Sequence, residues 1–147
     1  MPGTVKLHRV FAAKPERVYK AFIDADALVK WLPPNGFTAK AHTFDAKVGG
    51  GYHMSFTNFT SGKSHSFKVK YTELTPHERI RHTDKFDDAN LPGEMTVTVT
   101  LKKVMVGTEV TIVQEGVPDA IPVEACYLGW QESLDNLKKL VEPDIRQ

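Results

Sequence analysis

Apolar and polar residues alternate with a period of two along most of the chain between residues 37 and 115, which is typical of β-strands. The alternation predicts six strands, near residues 37–46, 50–59, 64–74, 78–86, 94–103 and 108–115. A further strand from Thr4 to Phe11 precedes them. Because one side of each strand is apolar and the other polar, the pattern indicates an antiparallel sheet that is covered on one face.

A tight turn at Thr60-Ser61-Gly62-Lys63 allows the facing residues of one hairpin to be predicted. Pairing of Thr60 with Lys63 places the following residues opposite one another on the apolar face: Phe56 and Phe67, Met54 and Val69, Tyr52 and Tyr71. The same alternation brings Ile80, His82 and Asp84 to this face, and Val97, Val99 and Leu101 join it in a later strand. The buried side of the sheet is therefore predicted to be aromatic and aliphatic, with a few polar groups.

Two short helices are predicted after the first strand. Pro15 is suited to the first turn of one helix, because its missing backbone N–H would have no partner there. Asp24 or Asp26 is suited to cap the second helix. That helix continues to Trp31 and ends before Pro33.

A long amphipathic helix is predicted from Pro122 to Val141. Its apolar side is formed by residues at heptad-like spacing: Tyr127, Trp130, Leu134, Leu137 and Val141. Since the apolar sheet face needs a cover, the economical arrangement lays this helix across it. Gly129 costs such a helix roughly 1 kcal/mol relative to alanine, and a close approach of the helix backbone to another element would explain its presence.

Length and charge limit the class of protein. The 147 residues correspond to one domain, residues 1–147. The formal net charge of +1, with 19 basic and 18 acidic residues, argues against nucleic acid as the main partner. No apolar stretch approaches the roughly 20 residues that span a bilayer, so membrane insertion is not expected. The polar segment from Met1 to Val10 does not have the character of a signal peptide, and a cytoplasmic location is expected.

Several short segments in a fixed order resemble a known family. They are Pro15-Glu16-Arg17-Val18-Tyr19, Lys30-Trp31-Leu32-Pro33-Pro34, Asp45-Ala46-Lys47-Val48-Gly49-Gly50-Gly51-Tyr52, Tyr71-Thr72-Glu73-Leu74-Thr75-Pro76-His77-Glu78-Arg79-Ile80, Gly107-Thr108-Glu109-Val110-Thr111, Glu115-Gly116-Val117-Pro118, and Gly129-Trp130 with Leu134 and Leu137. Together with the order of elements, they resemble the helix-grip fold of the START-like, or SRPBCC, superfamily. Within it they are most similar to the family named after the activator of heat-shock-protein-90 ATPase.

The resemblance implies an α+β fold in which a curved antiparallel sheet of about seven strands is wrapped around the C-terminal helix. It also implies an apolar cavity between the helix and the sheet, which in the superfamily often takes lipids, sterols, polyketides or other hydrophobic molecules. In the eukaryotic co-chaperones of the family, a related domain helps to stimulate the ATPase of the chaperone.

The residues offer no recognisable catalytic or metal-binding motif. Gly49-Gly50-Gly51 precedes a strand rather than a helix, so a structural role is favoured over nucleotide binding. The six histidines lack metal-ligand spacing, and neither a metal nor another cofactor is expected. Cys126 cannot form an internal disulfide, and neither it nor any serine lies in a nucleophile elbow.

The favoured hypothesis is non-catalytic binding of a small hydrophobic or amphipathic ligand beneath the C-terminal helix. The predicted apolar walls are Met54, Phe56, Phe67, Val69, Val99 and Trp130, and the predicted polar groups are Tyr71, His82 and Asp84. His82 and Asp84 are separated by about 7 Å along one strand, so they could share a bridging water or a ligand group. Segment 31–37 and loop 87–93 are expected to control access.

Two alternatives stay open. One is a co-chaperone-like interaction module whose partner is a chaperone. The other is an enzyme of cyclase or hydratase type, in which His82, Asp84 and a tyrosine act as acid and base. The chain is expected to be a monomer or a homodimer, since an open sheet edge can pair with a second copy.

Overall fold

The computed structural model describes residues 2–146, which form a curved seven-stranded antiparallel sheet and three helices. The strands are β1 (Gly3–Phe11), β2 (Phe37–Phe44), β3 (Gly51–Asn58), β4 (Ser64–Thr75), β5 (Arg79–Phe86), β6 (Met95–Val104) and β7 (Gly107–Val117). The helices are α1 (Pro15–Phe22), α2 (Ala25–Trp31) and α3 (Val123–Val141). The predicted α+β helix-grip architecture is confirmed, including the two short helices after the first strand.

The strands follow the order β1-β7-β6-β5-β4-β3-β2, so β2 to β7 form a meander and β1 joins it beside β7. All neighbouring strands are antiparallel. The inward face carries the main buried side chains of the sheet, among them Val5, Leu7, Met54, Val69, Ile80, Val97, Val99, Val110 and Ile112. The three helices supply the second layer of this core.

Hydrogen bonds from side chains to the backbone stabilise the corner between α1 and α2. Asp24, rather than Asp26, is the N-cap of α2, and its Oδ1 accepts from the backbone N–H groups of Asp26 at 2.9 Å and Ala27 at 3.2 Å. Trp31 is fully buried, and its Nε1 donates to the carbonyl oxygen of Ala21 at 2.8 Å. Trp31 therefore packs in the core and ties α2 to the end of α1.

The pairing of β3 with β4 differs from the prediction by two residues. Met54 lies opposite Phe67, and Phe56 lies opposite His65. All three predicted pairs were therefore wrong: Met54 with Val69, Phe56 with Phe67, and Tyr52 with Tyr71. A shift of two residues keeps every side chain on its face, because side chains alternate with a period of two.

The cause of the shift is the side chain of Asn58. Its Oδ1 accepts from the N–H groups of Thr60 at 2.9 Å and Ser61 at 3.2 Å, which stabilises a turn that begins earlier than the one predicted. Gly62 closes the loop with a φ of 74°, a left-handed conformation that glycine adopts without strain. Residues 59–63 therefore lie outside the strands, and Asn58 is the last residue of β3.

The glycine triplet has the predicted structural role. A Cβ atom on Gly51 would collide with the carbonyl oxygen of Val69 in the adjacent strand. Only glycine therefore permits the two backbones to come this close where β3 begins.

Helix α3 is fastened at its C-terminal half, where Leu134, Leu137 and Val141 are buried. Arg17 Nε donates to the carbonyl oxygen of Val141 at 2.7 Å and ties the end of α3 to α1. Tyr127, which was predicted to face the sheet, is 42% exposed. The first half of α3 therefore buries less of its apolar stripe than the second half does. Within residues 2–146, no helix combines the length and apolar character needed to cross a membrane.

Candidate functional site

A cavity of about 260 Å³ lies between the first half of α3 and the inward face of the sheet. Its walls come from the sheet, from α3 and from the corner that contains α1 and α2. The lining residues are Phe22, Leu28, Trp31, Leu32, Pro34, Phe37, Tyr52, Phe56, His65, Phe67, Tyr71, Ile80, His82, Asp84, Phe86, Met95, Val99, Gln114, Cys126, Gly129, Trp130 and Ser133. Most of the wall is apolar, and aromatic rings form much of it.

Seven of the nine predicted binding residues lie on this wall: Phe56, Phe67, Tyr71, His82, Asp84, Val99 and Trp130. Met54 and Val69 do not reach it, although both are buried in the core on the same sheet face. Val69 is shorter than its cross-strand neighbours Tyr52 and Asp84, both of which line the cavity. Correct assignment of the face therefore did not suffice to identify the wall.

The sequence patterns missed the part of the wall that the helical corner supplies. These residues are Phe22, Leu28, Leu32, Pro34 and Phe37. Two signals were available: the helical spacing of Phe22, and the position of Leu32, Pro34 and Phe37 within the segment 31–37 that was predicted to control access. Cys126, Gly129 and Ser133, from α3, were also not predicted as wall residues.

His82 and Asp84 form a hydrogen-bonded pair of ionisable side chains on the wall. His82 Nδ1 and Asp84 Oδ1 are 2.5 Å apart, and the two side chains are only 12% and 16% exposed. They are therefore joined directly, rather than through the bridging group that their spacing suggested. Because a carboxylate can only accept a hydrogen bond, this contact requires a proton on His82 Nδ1.

Tyr71 stands directly opposite His82 across the β4–β5 pair. The two rings are perpendicular, with centroids 6.0 Å apart. The register shifts between Tyr71 and Glu73, which leaves Thr72 as an extra residue in β4. Such a bulge changes the local twist of a strand and often lies beside a site.

The hydroxyl of Tyr71 is buried and has no hydrogen-bond partner among the residues that the structure describes. Burial raises the pKa of Tyr71, and the nearby negative charge of Asp84 raises it further. Burial and Asp84 likewise raise the pKa of Tyr52 well above its ordinary value. Both phenols are therefore neutral hydrogen-bonding groups at physiological pH.

Three other polar side chains on the wall, those of Trp130, Gln114 and Ser133, have hydrogen-bond partners. Trp130 Nε1 donates to Gln114 Oε1 at 2.9 Å, and Gln114 Nε2 lies 3.3 Å from Met95 Sδ. The hydroxyl of Ser133 donates to backbone carbonyl oxygens. Its Oγ lies 2.5 Å from the carbonyl oxygen of Leu32 and 3.0 Å from that of Gly129. Tyr71 differs from them, because its polar atom is not satisfied by the protein.

An aromatic cluster surrounds His65 at another part of the wall. Its ring centroid lies 5.7 Å from that of Phe56 and 6.1 Å from that of Phe37, with both rings nearly perpendicular to it. Burial lowers the pKa of His65, because desolvation disfavours the imidazolium form. His65 is therefore predominantly neutral at pH 7.

Gly129 lies on the cavity wall, and the explanation predicted for it was wrong. A Cβ atom added at this position would meet no atom within 4 Å outside its immediate helical surroundings. No close approach of another element therefore requires the glycine. Its physical effect is to leave space beside the first half of α3.

A second polar cluster lies on the outer face of the sheet. Asp87 Oδ2 accepts from Ser66 Oγ at 2.7 Å and contacts His53 Nε2 at 2.8 Å. The Ser66 hydrogen bond is the main cause of the lowered pKa of Asp87, with His53 and Lys68 adding to it. The serine is bonded to the carboxylate and not to the histidine, so the cluster lacks the arrangement of an activated nucleophile. No group of three or more potential metal ligands occurs between residues 2 and 146.

Comparison with known proteins gives relatives of the same fold. A Chromobacterium violaceum protein of known crystal structure has 60% sequence identity to this chain. The two structures align with a TM-score of 0.96 over 98% of this chain and 100% of that chain. A Rhodobacter sphaeroides protein is 23% identical, with a TM-score of 0.83 over 95% of each chain. A solution structure from Arthrobacter aurescens is 20% identical, with a TM-score of 0.84 over 95% of this chain and 87% of that one.

These neighbours have the START-like, or SRPBCC, fold. No curated protein matches the chain. The model of the activator of Hsp90 ATPase homolog 1-like protein family matches residues 12–142, which is most of the chain. The chain therefore belongs to the family of activator of Hsp90 ATPase homolog 1-like proteins.

Proposed function

We propose that the protein binds a small hydrophobic or amphipathic molecule in the cavity beneath α3 and does not transform it. The observation that carries this proposal is a largely apolar cavity whose wall contains an unsatisfied, buried hydroxyl, that of Tyr71. A few convergent polar groups in an apolar pocket are typical of small-molecule sites. The volume of about 260 Å³ is close to the lower end of the ~300–1,000 Å³ usual for such sites, which favours a compact ligand.

The chemistry of the wall supports binding over covalent catalysis. Burial raises the pKa of the Cys126 thiol, which disfavours the reactive thiolate. The Ser133 hydroxyl donates to backbone oxygens and has no base beside it. The wall thus offers neither cysteine nor serine as an activated nucleophile.

Native mass spectrometry of the purified protein, with and without Gly129→Leu, tests the proposal. We expect the wild-type protein to retain a small organic molecule or to take one up from an extract of its host. Gly129→Leu should abolish this, because the new side chain projects into open space beside the cavity wall. Ala125→Leu is the matched control, since Ala125 lies one turn earlier on α3, is exposed and does not line the cavity.

Equal occupancy of wild-type and Gly129→Leu protein would show that the ligand lies elsewhere. A wild-type protein that takes up no apolar molecule from any extract would contradict binding itself. Turnover of a bound molecule that His82→Ala abolishes would replace the proposal with an enzymatic one.

Family membership favours one other candidate, an interaction with a heat-shock chaperone. Under this alternative the protein would change the ATPase rate of Hsp90 from the same organism. Steady-state ATPase measurements with and without a molar excess of the protein test it. An unchanged rate, together with no complex on size-exclusion chromatography, would remove this candidate.

A further inference from the structure

We propose that the ligand is an uncharged ring compound with a hydroxyl group, and that Tyr71 and His82 bind this hydroxyl. The proposal rests on the binding function proposed above and adds the chemical class of the ligand. It follows from the charges on the cavity wall, from the hydrogen-bonding groups that lack partners there, and from the shape of the apolar surface.

The described residues of the wall include no permanently positive side chain that could neutralise an anionic ligand. Among the lining residues that the structure describes there is neither lysine nor arginine. Asp84 carries a negative charge into the cavity, and the nearby His82 is already hydrogen-bonded to it. A ligand carboxylate or phosphate would lose its hydration and would also face repulsion from Asp84. The cavity therefore discriminates against fatty acids and other organic anions.

The unpartnered polar atoms call for a ligand that both accepts and donates a hydrogen bond. The Tyr71 hydroxyl can donate and has no acceptor among the described residues. Because His82 directs Nδ1–H to Asp84, its Nε2 is an acceptor in the neutral ring, and it makes no hydrogen bond within residues 2–146. A ligand hydroxyl can accept from Tyr71 and donate to His82, whereas an ether or a ketone can only accept.

A cationic head group fits these groups less well than a neutral hydroxyl. An ammonium group could donate to Asp84 or His82, but it would first lose most of its hydration in a largely apolar cavity. Asp84 already accepts from His82, which weakens its capacity to compensate for that loss. A hydroxyl gains its hydrogen bonds at a much lower desolvation cost.

The remaining wall favours a ring. Phe56, Phe67 and Phe86 extend the aromatic surface from the sheet, and Trp130 adds to it from α3. Phe56 and Phe67 already pack edge to face, with centroids 5.1 Å apart. Flat aromatic or alicyclic molecules make extensive contact with such a surface. The small volume then limits the ligand to few rings.

Four naphthalene derivatives test the proposal in isothermal titration calorimetry at pH 7: 2-naphthol, 2-methoxynaphthalene, 2-naphthoate and 2-naphthylmethylammonium. They share one apolar body and differ only in the polar group. We expect 2-naphthol to bind most tightly, with Kd for 2-methoxynaphthalene about fivefold to tenfold higher, as expected for the loss of one neutral hydrogen bond. The two ions should bind at least tenfold more weakly than 2-naphthol.

Tyr71→Phe should weaken the binding of 2-naphthol and of 2-methoxynaphthalene alike, by about fivefold to tenfold, because both oxygens can accept the hydrogen bond that the Tyr71 hydroxyl donates. Tyr127→Phe is the matched control, because Tyr127 is half-exposed on α3 and does not line the cavity. Circular dichroism establishes whether each variant is folded. If a variant is not folded, the titrations of the wild-type protein with the four compounds still test the ligand class.

The outcomes separate the two proposals. If 2-naphthoate or the ammonium derivative binds as tightly as 2-naphthol, the ligand class is wrong and the binding function survives. If Tyr71→Phe binds 2-naphthol as tightly as the wild-type protein does, the hydroxyl does not bind at Tyr71. If none of the four compounds binds and no extract supplies a ligand, the binding function itself fails.

Discussion

Two hydroxyl groups on the cavity wall show how a single residue can serve packing or recognition. Ser133 Oγ lies 2.5 Å from the carbonyl oxygen of Leu32 and so connects α3 to the end of α2. The hydroxyl of Tyr71 makes no such bond, although its residue is only 2% exposed. A buried polar group without a partner reduces stability, whereas a partnered one adds a modest amount. The Ser133 hydroxyl therefore serves the fold, and that of Tyr71 is available for a ligand.

Removal of these hydroxyls should affect the stability of the ligand-free protein differently. We expect Ser133→Ala to lower the free energy of unfolding by about 1–2 kcal/mol, since a buried carbonyl oxygen loses its donor. Tyr71→Phe should leave the free energy of unfolding unchanged or raise it by about 1 kcal/mol, because the lost group had no partner. Urea denaturation of the two variants measures both values. A loss for Tyr71→Phe as large as that for Ser133→Ala would show that the tyrosine hydroxyl supports the fold.

At the scale of the elements, alternation alone identified the strands and their buried faces. The sheet face of Phe56, Phe67 and His82 was predictable, because side chains alternate along each strand whatever residue lies opposite on the neighbouring strand. The β3–β4 register was not predictable, since it depends on which backbone groups the Asn58 side chain binds. A local hydrogen bond thus determined what the hydrophobic pattern left open.

The helix α3 marks the limit of the same reasoning. Its apolar stripe correctly placed Leu134, Leu137 and Val141 in the core, but it also assigned Tyr127 to the buried side. A stripe gives the direction of a helix face and does not give the distance to the opposite layer. The size and the lining of the cavity depend on the distance between α3 and the sheet, so the wall could be predicted only in part.

At the scale of the whole molecule, arginine side chains fasten the second half of α3 to other elements, and the cavity lies beneath its first half. Arg9 connects β1 to the middle of α3 through Asp135 at 2.5 Å, and Arg17 connects α1 to its end. The preceding part of α3 contributes Cys126, Gly129 and Trp130 to the cavity wall. Atoms that face a cavity lose dispersion contacts that a filled core would supply. The fold therefore gives up some stability to keep this space.

That loss should be recoverable at Gly129. We expect Gly129→Ala to raise the free energy of unfolding of the ligand-free protein by up to about 1 kcal/mol, because alanine is the better helix former and meets no neighbouring atom. Gly129→Leu should be at least as stable as wild type, since its side chain gains apolar contacts inside the cavity, and it should no longer bind ligand. Urea denaturation and ligand titration of the same samples measure the two effects.

A binding cavity requires that Gly129→Leu keep or raise the free energy of unfolding while it abolishes ligand binding. The reason is that the same empty space lowers stability and admits the ligand. Ala125→Leu, on the exposed part of α3, should change neither the stability nor the affinity appreciably. A loss of more than about 1 kcal/mol for Gly129→Leu would mean that side chains close the space in solution. In that case the gap between α3 and the sheet would be a packing feature, and the function would have to be sought on the outer surface.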